Sequence, residues 1–290
     1  MRIDLHTHSS RSDGTSPPAQ LIAQAAAAGL DVVALTDHDT AEGWDEAAAA
    51  AVEHGVRLVP GMEVSCRLGN RGVHLLGYLP DPTHPGLAAE LTRILDGRDG
   101  RMPQIVAKLQ GLGIAIVEDD VHAVSGDAAA SGRPHVADAL VRAGVVDDRD
   151  QAFARYLGPS GPAYVRRYAT PLEDMITLIR EAGGVSVLAH PWGRGGRRHL
   201  DPETIARLAA HGLTGIEVDH QDHRPEDRET LRALARELDL VFTGSSDHHG
   251  TGKIDHDLGC HTTHPEQYER LLAAAADASR ASGRPTPSVV

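Results

Sequence analysis

Lysine is almost missing. The 290 residues carry 41 acidic side chains against 28 lysines and arginines, and Lys108 and Lys253 are the two lysines, leaving a formal charge of −13 with histidines neutral. Such a chain offers no extended basic face to grip a nucleic-acid backbone by counterion release, so binding along duplex DNA is not expected. A small anion held at a charged site is compatible with it. Aromatics make up 3%, so the core must come from Ala, Val, Leu and Ile, which suits helices laid against buried parallel strands. The two cysteines, Cys66 and Cys260, form neither a CxxC pair nor a framework, and they read as reduced thiols of a cytoplasmic protein. No stretch approaches the roughly 20 apolar residues of a membrane span. Met1 leads straight into a strand with no basic or apolar leader, so a soluble, unexported protein is expected. Without a GxGxxG or Walker loop, neither dinucleotide nor NTP chemistry is indicated.

What is present is rhythm. MRIDLH, PPAQLIAQAAAAG, DVVALTD, WDEAAAAAVEHG, RLVPGMEV and VHLLGY alternate strand-like and helical runs, with Pro17 and Pro18 where a helix starts and Gly29 and Gly55 where helices stop. After Pro80 the pattern turns helical, and residues 82–168 are expected to form a helical insertion covering the site. From Thr170 the alternation resumes through VSVLAH, GIEVDH and LVFTGSSDHHG to a helix from Pro265, and residues 281–290 read as a flexible, proline-rich tail. About seven βα units, residues 1–81 and 169–280, predict an α/β fold whose parallel strands close into a distorted barrel.

Eighteen histidines are a surplus that composition alone does not explain. In DLHTHSSRSDG, His6 and His8 alternate on one strand and project together, with Asp13 just after. The other strand ends repeat the theme: Asp37 and His38 in TDHD, Glu63 in GMEV, His74 on the fourth strand, His190 in VSVLAHP, Glu217 and His220 in GIEVDH, and Asp247, His248 and His249 in TGSSDHHG. Any one of these could cap a turn or sit satisfied in a core. Gathered at one rim, even six of these imidazoles and three of these carboxylates would be very costly to bury uncompensated, and cations resolve that cost. A nitrogen and oxygen set without thiolate suits Zn, Mn or Fe and does not select among them.

DLHTHSSRSDG, LTDHD, PGMEVS, VHLLGY, LAHP and GSSDHHG, in this order, closely resemble the polymerase and histidinol phosphatase (PHP) superfamily of metal-dependent phosphoesterases, over essentially the whole chain to about residue 275. The insertion with SGRPHVA resembles its small stand-alone members, which include 3′,5′-nucleoside bisphosphate phosphatases and a 5′ to 3′ exoribonuclease acting on short RNA. The resemblance implies a distorted (βα)7 barrel holding two to three divalent ions. One would be held by His6, His8, Glu63 and Asp247, a second by Glu63, His74 and His190, and a third by Asp13, His38 and His249. It makes Asp13 and Glu63 catalytic beside a hydroxide generated on the ions, and His248 stands where an aromatic residue is common.

The implied substrate is a phosphate monoester of a small nucleotide. Arg133 is the expected contact to a second phosphate, with His135 one step further into the same turn, and His223 is a phosphate contact or leaving-group acid by resemblance. Asp37 is expected to orient a histidine ligand. Histidines 54, 84, 122, 199, 211, 256, 261 and 264, and Lys253, are expected at the surface. Three rivals remain: histidinol-phosphate phosphatase, a non-catalytic PHP module of a polymerase, and an amidohydrolase. The last commonly uses a carboxylated lysine at a mid-barrel strand end, where this chain has none.

Overall fold

The computed structural model describes residues 1–193 and 195–290. β1 (Ile3–Thr7), β2 (Val32–Leu35) and β3 (Arg57–Leu68) pair in parallel in that order, Ile3 beside Val32 and Val33 beside Leu58. α1 (Pro18–Ala27) and α2 (Trp44–His54) make the crossovers. Proline in the first turn of α1 costs no intrahelical hydrogen bond. Gly55 closes α2 in the left-handed conformation (φ 67°) that favours glycine.

β4 (Arg71–Tyr78) departs from the all-parallel expectation. It runs antiparallel to β3, with Glu63 opposite Leu76 and Ser65 opposite His74. Two residues, Gly69 and Asn70, separate the strands. A link that short permits a hairpin but not the dozen-residue crossover that a parallel neighbour requires. Past the helical segment, β5 (Thr170–Pro171) makes a short pairing with β3, and β6 (Val185–Leu188) joins β4 antiparallel. β7 (Gly215–Asp219) and β8 (Val241–Gly244) follow in parallel. The Thr7–His248 bridge brings the chain after β8 back to β1, so seven strands form a nearly closed barrel.

β1, β2, β6 and most of β7 and β8 are buried, as strands covered on both faces must be. His74, Leu76 and Tyr78 alternate on one face of β4. Leu76 and Tyr78 pack with Val59, Val185, Val187 and with Tyr268 and Leu271 of α11 (Pro265–Ser282), an apolar floor behind the chemical rim. α8 (Leu172–Glu181), α9 (Pro202–His211) and α10 (Pro225–Glu237) cover the barrel outside.

The helical segment comprises α3 (Pro85–Asp99), α4 (Met102–Gly111), α5 (Glu118–Ser125), α6 (Arg133–Arg142) and α7 (Arg149–Ala152). Its own apolar core runs from Met102 to Ala163, whereas Leu87, Leu91 and Ile94 of α3 pack into the barrel cluster. The tail, expected to be flexible, is instead docked. Val290 and Leu58 exchange N–H···O bonds of 2.9 and 3.1 Å, and Arg284 pairs with Asp81 at 2.6 Å. The reason is local: β4 covers β3 only from Gly61 onward, so the edge at Leu58 has unpaired backbone groups for the tail to meet. Among the described residues no helix is long and apolar enough to cross a membrane.

Candidate metal centre

The loop after β1 is set by close packing. A Cβ at Gly14 would lie 2.3 Å from the His8 carbonyl oxygen, so only glycine lets the chain fold back there and turn Asp13 toward the histidines. Asp37 was expected to hold an imidazole and does not. Its carboxylate accepts from Ser9 N–H at 2.8 Å and from the hydroxyls of Ser9 and Ser12 at 2.5 Å each, so it fixes the loop that carries Asp13. Arg149 adds a bond of 3.1 Å to the Asp13 carbonyl, tying α7 to that loop.

His6 Nε2 and His8 Nε2 are 3.0 Å apart, each lies 3.4 Å from Asp247 Oδ1, and Glu63 Oε2 lies 3.4 and 3.3 Å from them. Four donors around one ion at 2.0–2.2 Å would be separated by about 3.3–3.6 Å if tetrahedral. The spacing fits. Asp247 Oδ1 is also buried without a hydrogen-bond partner, an anionic oxygen that lacks only a cation. Its other oxygen is occupied by His220 Nε2 at 3.2 Å and by the Lys253 ammonium. Because Asp222 N–H donates to His220 Nδ1 at 3.0 Å, His220 must carry its proton on Nε2. Among the described residues His220, Asp247 and His256 also lie close enough to hold an ion, but that proton makes His220 a brace for Asp247.

Glu63 is a hub. Oε1 lies 2.7 Å from His74 Nδ1 and 3.0 Å from His190 Nε2, while Oε2 faces His6, His8 and His38, the last at 3.2 Å. Burial would raise its pKa, but the facing imidazoles, His74 foremost, outweigh that and hold it well below the usual carboxylate range. Asp13 has Oδ1 at 3.2 Å from His249 Nε2 and Oδ2 at 3.6 Å from His38 Nε2, with His8 Nδ1 at 3.9 Å. Burial pushes His38 down to about 3 and His249 to about 4, keeping both as neutral lone-pair donors. Eight of the nine residues named from the strand ends thus fall into groups close enough to share an ion, with His8, His38 and Glu63 each common to two of them, and His190 joins through Glu63. His74 and His190 keep side-chain exposures of 34% and 21% where His6 and His8 have none, so the centre opens on their side.

Several residues were missed or misplaced by sequence reasoning. Glu217 is fully buried and accepts from His6 Nδ1 at 3.1 Å, His190 N–H at 2.7 Å and the Ser245 hydroxyl. A carboxylate only accepts, so it fixes the proton on Nδ1 and leaves His6 Nε2 free. Asp4, also fully buried, takes Ser246 N–H at 3.0 Å and Gly259 N–H at 2.8 Å, anchoring the stretch before Asp247. Lys253 and His256, expected at the surface, lie inside: the ammonium pairs with Asp247, and His256 is 5% exposed with Nδ1 on Ser246 O. His248 turns Nδ1 to His256 O at 2.7 Å and serves barrel closure.

His223 requires correction as well. Its Nδ1 is 2.9 Å from Val218 O and its Nε2 accepts Trp192 N–H at 3.1 Å, so both nitrogens are committed to backbone and neither is free to act as an acid. Buried His135 accepts Gly132 N–H on Nδ1 at 3.0 Å and lines a small cavity with Asp13, His38 and Arg98. Arg133 donates to Leu157 O at 3.1 Å and lies over the rings of Phe153 and Tyr164.

A PHP domain model matches residues 4–112. A 3′,5′-nucleoside bisphosphate phosphatase of Chromobacterium violaceum is 39% identical over 257 residues, spanning 89% of this chain and 90% of that protein. This chain belongs to the PHP family of metal-dependent phosphoesterases. Another relative, a 5′-3′ exoribonuclease of Haemophilus influenzae, is 36% identical over 248 residues, 86% of this chain and 90% of the relative. The crystal structure of a putative metal-dependent phosphoesterase from Bifidobacterium adolescentis superposes with a TM-score of 0.89 at 36% identity, covering 94% of this chain and 96% of that one. As a PHP enzyme the chain is a hydrolase whose His/Asp/Glu clusters can bind metal ions.

Proposed function

We propose that this protein removes the 3′-phosphate of a 3′,5′-nucleoside bisphosphate, using two to three ions of Mn, Zn or Fe. The observation that carries the reading is the partnerless Asp247 Oδ1 facing His6, His8 and Glu63 at ion-coordination spacing. His6, His8, Glu63 and Asp247 would hold one ion, Glu63, His74 and His190 a second, and Asp13, His38 and His249 a third. Divalent ions bound there supply positive charge to phosphoryl oxygens and lower the pKa of a coordinated water toward 7.

The chain's own residues do the rest. Glu217 holds the His6 tautomer, the Asp247 carbonyl at 2.8 Å from His249 Nδ1 directs Nε2 of that ring to Asp13, and His220 and Lys253 aim Asp247. A phosphate monoester is drawn to the local cationic surplus, while the overall charge of −13 repels a long polyanion. That balance favours a small nucleotide over RNA. Arg133 and His135, on the turn that opens α6, are assigned to the second phosphate.

Purified protein is expected to carry two to three transition-metal ions per chain by elemental analysis, and to turn over adenosine 3′,5′-bisphosphate ahead of histidinol phosphate, an aryl phosphate and a short 5′-phosphorylated RNA. Preference for the RNA would move the assignment to the exoribonuclease activity. Asp13→Ala should abolish turnover of every phosphoester. Arg133→Ala should mainly weaken substrates with a second phosphate, and equal losses on mono- and bisphosphates would remove Arg133 from that role.

A further inference from the structure

Three segments distant in sequence meet at the guanidinium of Arg149: the helical segment, the loop after β1 and the loop after β8. Arg149 opens α7, and its side chain is 13% exposed. Its own helix is well anchored. Asp148 caps α7 by accepting Gln151 N–H at 2.7 Å, and Val146 and Ala152 on either side are buried in the apolar core of the helical segment. From that base Nε and Nη2 donate to the two carboxylate oxygens of Asp138 on α6, at 2.6 and 2.7 Å, as a planar fork. The remaining nitrogen, Nη1, leaves the helical segment and donates to the Asp13 carbonyl at 3.1 Å. A Cβ on Gly252 would lie 2.4 Å from the same Nη1, so the loop after β8 packs directly against the guanidinium.

The two barrel loops are also joined to each other. Thr15 N–H donates to His249 O at 3.2 Å, and Thr251 N–H donates to Thr15 Oγ1 at 3.0 Å. Arg149 thus holds Asp13 and His249 together, and these two face each other with Asp13 Oδ1 3.2 Å from His249 Nε2. With His8 and His38 they lie close enough to share an ion. Elsewhere in the centre His6, Glu63 and His74 stand on β1, β3 and β4. Asp13 stands on a loop instead, and a ligand on a loop owes its position to the groups that hold the loop. Asp37 holds it from the barrel through Ser9 and Ser12, and Arg149 holds it from the helical segment.

We propose that Arg149 is a positioning residue that couples the seating of α6 and α7 to occupancy of the third-ion site formed by Asp13, His38 and His249. Such coupling is reciprocal, so an ion bound there steadies α6, the helix that opens with Arg133 and His135. Metal occupancy and the order of the turn assigned to the second phosphate then rise together. The inference rests on the metal centre of the proposed function and adds a link between that centre and the helical segment.

The test titrates Mn(II) into metal-free parent, Arg149→Met and Arg149→Lys proteins by calorimetry and follows amide hydrogen exchange over residues 133–152. The parent is expected to bind three Mn(II) and to gain exchange protection in α6 and α7 as the last of them binds. In Arg149→Met one Mn(II) is expected to bind about 10- to 100-fold more weakly while the other two keep their affinities, and the gain in protection is expected to vanish. Arg149→Lys keeps a charge facing Asp138 and is expected to fall between. Unchanged affinities, an equal weakening of all three ions, or a gain in protection as large as that of the parent would each overturn the coupling and leave Arg149 a staple between α6 and α7. If Arg149→Met does not fold, Arg149→Lys decides on the same readouts. A parent that binds three Mn(II) with this dependence but hydrolyses no bisphosphate keeps the coupling and loses the phosphatase reading. Bisphosphate turnover by a parent that binds two Mn(II) removes the coupling and leaves the phosphatase reading in place.

Discussion

Glu217→Gln tests the logic of the centre without touching any of the nine proposed ligands. The carboxylate accepts three hydrogen bonds, from His6 Nδ1 at 3.1 Å and the Ser245 hydroxyl on one oxygen and from His190 N–H at 2.7 Å on the other. An amide can keep only one of these oxygens as an acceptor. If its NH2 faces His190 N–H, two donors collide and a charged hydrogen bond of about 1.5–3 kcal/mol is lost. If it faces His6, the imidazole must move its proton to Nε2, and the lone pair aimed at Glu63 and Asp247 disappears. Either route should weaken metal binding by about 10- to 100-fold, or ~1.4–2.7 kcal/mol. Competition against a chromophoric chelator measures it directly, and excess metal should restore part of kcat. Metal affinity equal to that of the unmutated protein would refute the claim that Glu217 sets the His6 tautomer.

Two further outcomes follow from the same geometry. In metal-free protein burial opposes the charge on His8, but Asp247 and Glu63 outweigh it and raise its pKa from 6.5 to about 9. The protonated ring therefore stabilises the metal-free fold fully below pH 6.5, and that contribution is lost as pH rises through about 9. A ligating imidazole must be neutral, so metal binding at pH 7 should release a proton at His8, and affinity should climb as pH rises toward 9; calorimetry in buffers of different ionisation enthalpy would show this, and zero proton release would contradict it. Gly14→Ala, whose Cβ would meet the His8 carbonyl at 2.3 Å, should cost about 1–3 kcal/mol in denaturant unfolding and displace Asp13, lowering activity more than secondary structure.

The candidate ligands were legible because strand alternation and strand ends are written in sequence: HTH, TDHD, GMEV and SSDHHG each place a polar residue at the end of an apolar run. The barrel followed from the same runs. The antiparallel β4 was legible too, since Gly69 and Asn70 leave no room for a crossover, but the expectation of parallel strands overrode that signal. What escaped were roles decided by partners distant in sequence. Glu217 is one charged residue in a strand until His6, 211 positions away, meets it. His223 looked reactive, and backbone groups of Val218 and Trp192 consume it.

The Thr7–His248 bridge has a consequence for biogenesis. His6 lies on β1 and Asp247 just after β8, and the two share one candidate ion, so a chain still emerging from the ribosome owns no complete cage until the stretch after β8 is released. Contacts of such sequence separation form late and slowly. Metal uptake should therefore coincide with the last step of maturation, and a stalled or truncated product would be sorted out by its failure to retain the ion.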